Sequence, residues 1–433
     1  MKRLFILLIF ALSFTLVEAQ TLTFDVLQYD AQVEPDISNK SVKGKVTVIF
    51  KSMTNNLAEI KLNAGSLEID KVSENDVAIK FEKQPNLLII TLTKPAKLNE
   101  KRTIEIEYHG IPKFGVRFFP EQNQVYTIFS TSQWMPCVDA PEDRAKFRLE
   151  LVLPKDLQVV GNGEFIKQTK LSNGKTSSVW EQKNENPTYL YGFAAGKFRE
   201  VIENYKGVKL RYLAPASFSE TEVKQIFRET KNIIDFFESK AGVKYANKTY
   251  TQVLPIKNAE QEMSSFTVLR EDYGNRVLKD EKDIWLGIHE FSHQWWGNMV
   301  TNKDWTHFWL NEGITNFMTA AYIENRFGRD AYLKEISDYK ISYEKVRDAG
   351  KDKPLVFPDW NKPTREDRTL VYDKGAYVTH LLREDLGEEK FWQSLKDYTQ
   401  KYWGKSVTTK DFQSSFEKSS GRDLSEFFKK WIY

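Results

Sequence analysis

From Thr21 to about Lys206, apolar and polar residues alternate with a period of two, and turn residues interrupt the alternation at short intervals. Residues 43–52 (KGKVTVIFKS), 87–93, 102–108 and 146–153 each carry one row of β-branched, aliphatic or aromatic side chains and one polar row, the pattern of half-buried strands. Residues 157–167 continue it, with Pro154 and Gly161-Asn162-Gly163 as breaks. Several short strands and no long helical stretch predict an N-terminal antiparallel β-sheet domain over residues 20–206. Beyond that point the period lengthens. Ser219 and Glu222 form a capping-box pair, and Val223, Ile226, Phe227, Thr230, Ile233 and Ile234 recur at helical spacing up to Gly242, which predicts one long amphipathic helix. Residues 249–254 read as a strand, 283–299 as an apolar helix, and another helix starts near Asn311. Residues 364–368 read as a solvated loop. Residues 388–402, 409–418 and 423–432 read as helices punctuated by Gly387, Gly404 and Gly421. The expected class is α+β, with a mainly helical second domain over residues 207–433.

The first nineteen residues follow neither pattern. Lys2 and Arg3 precede a mostly apolar run from Leu4 to Val17, and Val17-Glu18-Ala19 ends in the small residue a signal peptidase reads. Residues 1–19 are expected to be a secretory signal peptide, giving a mature protein that is secreted or periplasmic. The run is shorter than the roughly 20 residues a membrane-spanning helix needs, so no membrane span is expected. The 63 basic and 60 acidic residues leave a net charge of +3 with no basic run, which argues against a nucleic-acid partner. Cys137 is the sole cysteine. An exported chain with one cysteine has no internal disulfide, and Cys137 reads as a small buried residue rather than a nucleophile.

Chemistry concentrates at His289-Glu290-Phe291-Ser292-His293. On a helix, residues four apart stack on one face, so His289 and His293 can share a metal ion, and Glu290 lies beside the position left for water. The apolar neighbours Ile284, Leu286, Ile288, Trp295 and Trp296 place these histidines in a core, where they need partners. A pair of satisfied core histidines is the competing reading. A third ligand must be a carboxylate or histidine from a neighbouring element, and Glu312 fits. His307, just before the second helix, reads as a loop or packing residue, and Asn316, one turn beyond Glu312, as a residue that orients a ligand.

The run from His289 to Phe317, with Trp296-Gly297-Asn298, Lys303-Asp304-Trp305 and Leu310-Asn311-Glu312-Gly313, resembles the aminopeptidase N family of zinc metallopeptidases, the gluzincins. The resemblance implies one Zn2+ per chain on His289, His293 and Glu312, a thermolysin-like catalytic domain, and Glu290 as general base. Trp134 to Pro141 and Lys146-Phe147 resemble a segment of the family's amino-terminal domain, and Gln133 before it is carried over as a contact to a substrate's amino group; the spacing is shortened and the usual arginines are missing, so a polar loop residue is the alternative. The family's Gly-x-Met-Glu-Asn word, on an edge strand, falls at residues 259–263. There Ala259, Gln261 and Met263 stand for Gly, Met and Asn, and the substrate-binding Glu is Glu262, with Glu260 as its rival. Val371-Tyr372-Asp373-Lys374-Gly375-Ala376 resembles the Tyr-Glu-Lys-Gly-Ala word, whose tyrosine reaches the transition state, here Tyr372. The chain stops at Tyr433, where the family's catalytic domain ends, so a short two-domain form without the C-terminal helical domain, and a more open groove, are expected.

The expected activity is zinc-dependent aminopeptidase action on peptides with a free N-terminus. The alternatives are a thermolysin-like zinc endopeptidase, which would share the metal residues but lack the amine anchor, and a non-catalytic exported peptide-binding protein. Oligomeric state and the preferred first residue are not encoded in any pattern found here.

Overall fold

The structure is a computed structural model that describes residues 23–255, 260–270, 272–357, 360 and 362–433; the expected signal peptide lies outside the described residues. Among the described residues the N-terminal domain is built of three sheets. The largest has eight strands in the order Glu164–Lys170, Lys175–Pro187, Arg144–Pro154, Phe24–Asp36, Ser41–Ser52, Lys101–Gly110, Glu68–Glu74, Val77–Ala78. Its alternation buries Val26, Tyr29, Ala31 and Val33 on one strand and Val46, Val48 and Phe50 on the next, so the period-two pattern becomes the domain core. One expectation is corrected here. The sheet is mixed: Phe24–Asp36 runs parallel to Arg144–Pro154, with Gln28 opposite Lys146 and Val33 opposite Leu151. A parallel partner needs a long crossover, and the intervening strands supply it.

The expected break at Gly161-Asn162-Gly163 within residues 157–167 separates two strands of different sheets, Gln158–Gly161 and Glu164–Lys170. Gly163 makes the switch at φ +80°, where a Cβ would lie 2.0 Å from the Glu181 carbonyl oxygen. The domain boundary expected at residue 206 falls in a hairpin turn. Phe198–Tyr205 pairs antiparallel with Val208–Pro215, and these two strands continue into Thr249–Val253 and Phe266–Val268 as the sheet of the second domain. Lys197 lies between the last strand of one sheet (Phe193–Gly196) and the first of the next.

Among the described residues the second domain has eleven α-helices: α1 (Glu220–Ile226), α2 (Thr230–Ala241), α3 (Tyr273–Lys279), α4 (Trp285–Ser292), α5 (Trp309–Phe327), α6 (Arg329–Asp348), α7 (Arg365–Thr369), α8 (Gly375–Leu386), α9 (Glu388–Lys401), α10 (Thr409–Ser420) and α11 (Ser425–Trp431). None is long and apolar enough to cross a membrane. The capping box at Ser219 and Glu222 is present, but the single helix expected after it is broken between α1 and α2. The break carries Glu229, whose buried carboxylate accepts from Tyr322 (2.7 Å) and Arg326 (3.1 Å) of α5, a tertiary demand that outweighs helical continuity. The loop expected at 364–368 is α7, started by a capping box between Thr364 and Asp367.

Helix α5 is the central post. Residues 309–323 are buried throughout, and α4, α6 and α8 pack against it. Its crossing with α8 is a backbone contact: a Cβ on Gly313 would lie 2.7 Å from the Cα of Gly375 and 3.1 Å from the carbonyl oxygen of Val371. Alanine gains about 1 kcal/mol over glycine in helix propensity, but here it would meet main chain that has no flexible end to yield. Gly313→Ala is therefore expected to lower the unfolding free energy by about 1–3 kcal/mol, the range for an overpacked core. Chemical denaturation measures it, and a variant as stable as the parent would contradict this crossing.

Candidate metal centre

Helix α4 does not run to residue 299 as its apolar pattern suggested; it ends at Ser292, with His293 as the capping residue. The chain then folds tightly back on itself. The Asn298 N–H donates to the His293 carbonyl (2.9 Å), the Gly297 N–H to Val300 (2.7 Å) and the Val300 N–H to Trp295 (3.0 Å). Gly297 has φ +122°, and a Cβ there would sit 2.6 Å from His293 Nδ1. The turn brings the Trp296 carbonyl to 3.2 Å from that same nitrogen, with Thr315 Oγ1 at 3.4 Å. A carbonyl only accepts, so Nδ1 carries the proton and Nε2 presents a lone pair.

Two other ligand atoms lie beside it. His293 Nε2 lies 3.2 Å from His289 Nε2, and Glu312 Oε2 lies 3.4 Å from the first and 3.6 Å from the second. All three residues are buried, and their ligand atoms form the one such group of three or more found among the described residues. A tetrahedral zinc with bonds of about 2.0–2.1 Å holds its ligand atoms about 3.3–3.4 Å apart, so the triangle fits the ion. Without a cation, burial disfavours a charged His293, but the Glu312 carboxylate outweighs burial and lifts its pKa to about 9. Glu312 is held well below the usual carboxylate range: burial works upward, and the two histidines overcome it. The centre therefore demands positive charge.

The surroundings fix the ligands. The His289 ring is stacked by Trp285 at 4.8 Å and by Tyr372 at 6.2 Å. Trp285 Nε1 donates to the Tyr339 hydroxyl (2.9 Å), and that hydroxyl donates to the Asn316 carbonyl (3.4 Å). Asn316, one turn after Glu312, is buried with its amide oxygen unpartnered, as is His289 Nδ1. His307 is outside the cluster, where its Nδ1 lies 3.0 Å from Thr409 Oγ1. Cys137 is buried in the N-terminal core with its thiol pushed up by burial, which suits packing and not nucleophilic chemistry.

Three further groups face the centre. Glu290 is buried with Oε2 unpartnered, and burial, together with the charges of Glu262, Glu312 and Glu260, raises its pKa against the pull of His293. Tyr372 sits in a π-helical turn, Leu370–Lys374, between α7 and α8. Burial and the carboxylates around it keep its hydroxyl protonated. Glu262 is not on a regular edge strand: it follows Gln261, which pairs with Val268 as an isolated bridge. It is buried, pushed up to about 7 by burial, and within electrostatic reach of His293 and Glu312. Its rival Glu260 is exposed and lies 3.4 Å from Arg270. Gln133 lies in the short turn Thr131–Gln133 of the N-terminal domain, packed against Gly65 and Gly115, with a buried, unpartnered Oε1.

Several positioning residues were not singled out from sequence. Gln294 Nε2 donates to the Met263 carbonyl (3.0 Å) while its Oε1 accepts from the Ser265 N–H (3.0 Å), and Asn298 Nδ2 donates to the Glu262 carbonyl (3.1 Å). These bonds splice the Glu262 segment to the turn after α4. Tyr189 of the N-terminal domain donates to the Gly297 carbonyl (2.8 Å) and accepts from Asn311 Nδ2 (3.0 Å). Asn298 and Asn311 both lie in the words quoted for the resemblance, which was the available signal.

Comparison with known proteins agrees with this geometry. The chain matches the Peptidase M1 N-terminal domain over residues 26–190 and the Peptidase family M1 domain over residues 226–431. It is 25% identical over 424 residues to a probable aminopeptidase 2 of Sulfurisphaera tokodaii, covering 94% of this chain and 53% of that protein. It is 25% identical over 437 residues to aminopeptidase N of Lactococcus lactis, covering 93% and 50%. The chain thus spans about half the length of the curated relatives it matches. Among solved structures, an M1 zinc metallopeptidase from Deinococcus radiodurans superposes with a TM-score of 0.80 at 21% identity, over 95% of this chain and 94% of that one. A mutant of the Deinococcus enzyme bound to a Tyr-Ser-Ala substrate gives 0.81 at 21% identity, over the same shares of the two chains. The two matched domains, the shared fold and the buried His-His-Glu triangle lead to one conclusion: this chain belongs to peptidase family M1, the zinc metallopeptidases.

Proposed function

We propose that the chain is an exported aminopeptidase that removes N-terminal residues from peptides. The observation that carries this reading is the buried Glu262 carboxylate, held by main-chain bonds beside the metal ligands. His289, His293 and Glu312 would hold the zinc, which when bound polarises a peptide carbonyl and acidifies water. Glu290, buried with Oε2 unpartnered, takes the water's proton and passes it on to the leaving amine, and a bound cation favours the ionised form this needs. Tyr372 donates its hydroxyl hydrogen to the oxyanion, a role that needs a group still protonated at neutral pH. Glu262 receives the substrate's ammonium group in a charge-assisted contact, and a bound cation favours its ionised form. The unpartnered Oε1 of Gln133 supports a place for it as a second acceptor. The Tyr-Ser-Ala peptide bound by the Deinococcus relative has the kind of short chain such a site would take. Lys2, Arg3 and the apolar run after them support export to the periplasm or the medium.

Two outcomes are expected. Glu290→Gln should lose about 10²–10⁴-fold in kcat, the usual weight of a general base, and still bind one zinc per chain by metal analysis; a variant that keeps its turnover would remove Glu290 from the mechanism. Chelation of the metal should abolish hydrolysis and lower the melting temperature, because it strips a ligand that binds only the folded chain. One equivalent of Zn2+ should restore both, and full activity in the stripped protein would refute the metal's role.

A further inference from the structure

We propose that Gln261 is a positioning residue for substrate recognition: it orients the Glu262 carboxylate toward the substrate's ammonium group and ties it to the N-terminal domain at Phe129. This rests on the aminopeptidase reading above. Gln261 is fully buried, and its main chain is fixed on both sides by the strand Phe266–Val268, donating to the Val268 carbonyl (3.0 Å) and accepting from the Val268 N–H (3.1 Å). Its side chain is equally determined. The Phe129 backbone N–H donates to Oε1 at 2.8 Å, so that atom is the amide oxygen. Nε2 then faces Glu262 and donates to Oε2 at 2.6 Å. Turning the amide over would set an N–H against an N–H and a carbonyl against a carboxylate.

The two neighbours explain what this bridge does. Asn298 holds the main-chain carbonyl of Glu262, which leaves the carboxylate free to rotate about its own side-chain torsions. Gln261 removes that freedom at one oxygen and leaves the other to meet a cation. On its far side the bridge ends at Phe129 and Ser130, which have φ of 29° and 50°, a left-handed backbone that both side chains disfavour. The Gln261 oxygen gives the Phe129 N–H its acceptor, so an N-terminal-domain loop and the amine-binding carboxylate are set by one amide. The residue at this position in the family's word is methionine, which has no N–H to donate.

The test compares wild type, Gln261→Met and Glu262→Gln for inhibition by an amino-acid hydroxamate and by its des-amino twin. The ratio of the two inhibition constants isolates the contribution of the ammonium group. Wild type should favour the amino compound, Glu262→Gln should bring the ratio near one, and Gln261→Met should reduce it by about 5–10-fold, the net weight of one ordinary hydrogen bond. In substrate kinetics the same variant should raise KM by a similar factor and leave kcat within about twofold, since binding of the ammonium is what it weakens. A merely structural role would weaken both inhibitors alike and leave the ratio unchanged, which overturns the proposal. A wild-type ratio near one would sink the aminopeptidase reading itself, and with it this inference; a wild-type preference kept in full by Gln261→Met overturns the role of Gln261 alone.

Discussion

Three metal-ligating side chains that converge in a buried pocket are the constraint on which the rest depends. His289, His293 and Glu312 are buried within 3.2–3.6 Å of each other. Burial makes any net charge there expensive, and the carboxylate makes negative charge unavoidable. Only a cation resolves the conflict. The fold is arranged to keep these groups from escaping it: the turn at Gly297 supplies the carbonyl that fixes the His293 tautomer, and the stacked rings of Trp285 and Tyr372 hold His289. The glycine contact between α5 and α8 brings the helix that bears Glu312 against the turn that bears Tyr372.

The N-terminal domain takes part in this arrangement through hydrogen bonds and not only through packing. Tyr189 reaches the turn after α4 and the start of α5, and Arg144 donates to the Asn298 carbonyl at 3.2 Å. Asn162 bonds both the Leu190 and the Ser264 carbonyls, so the segment that carries Glu262 is pinned from the β domain as well as from α4. A substrate's ammonium would therefore be met by a carboxylate whose position both domains determine.

What could be read from the sequence was what local spacing dictates. A spacing of four positions from His289 to His293 places both on one helical face, and period-two alternation marked the strands that bury Val46, Val48 and Phe50. What could not be read depends on distant partners. Nothing local says that Phe24–Asp36 pairs in parallel with a strand more than a hundred residues away, that Glu229 breaks a helix to reach Tyr322 and Arg326, or that the apolar run after His293 is a turn rather than a continuation of the helix to residue 299. Apolarity marked that run as buried, and burial does not distinguish a turn from a helix. Gln294 stayed invisible for the same reason: its value lies in the Met263 and Ser265 backbone groups it meets, thirty residues away in sequence.

The central claim is that this centre counts from the amino end of a peptide. It is tested most directly by incubating the purified protein with a short peptide that has a free amino terminus and, separately, with the same peptide N-acetylated, and following the products by mass. The account predicts stepwise loss of single residues from the free peptide and no reaction of the acetylated one. Cleavage of both peptides at an internal bond would contradict it, and would make Glu262 a carboxylate beside a metal centre with no amine to bind.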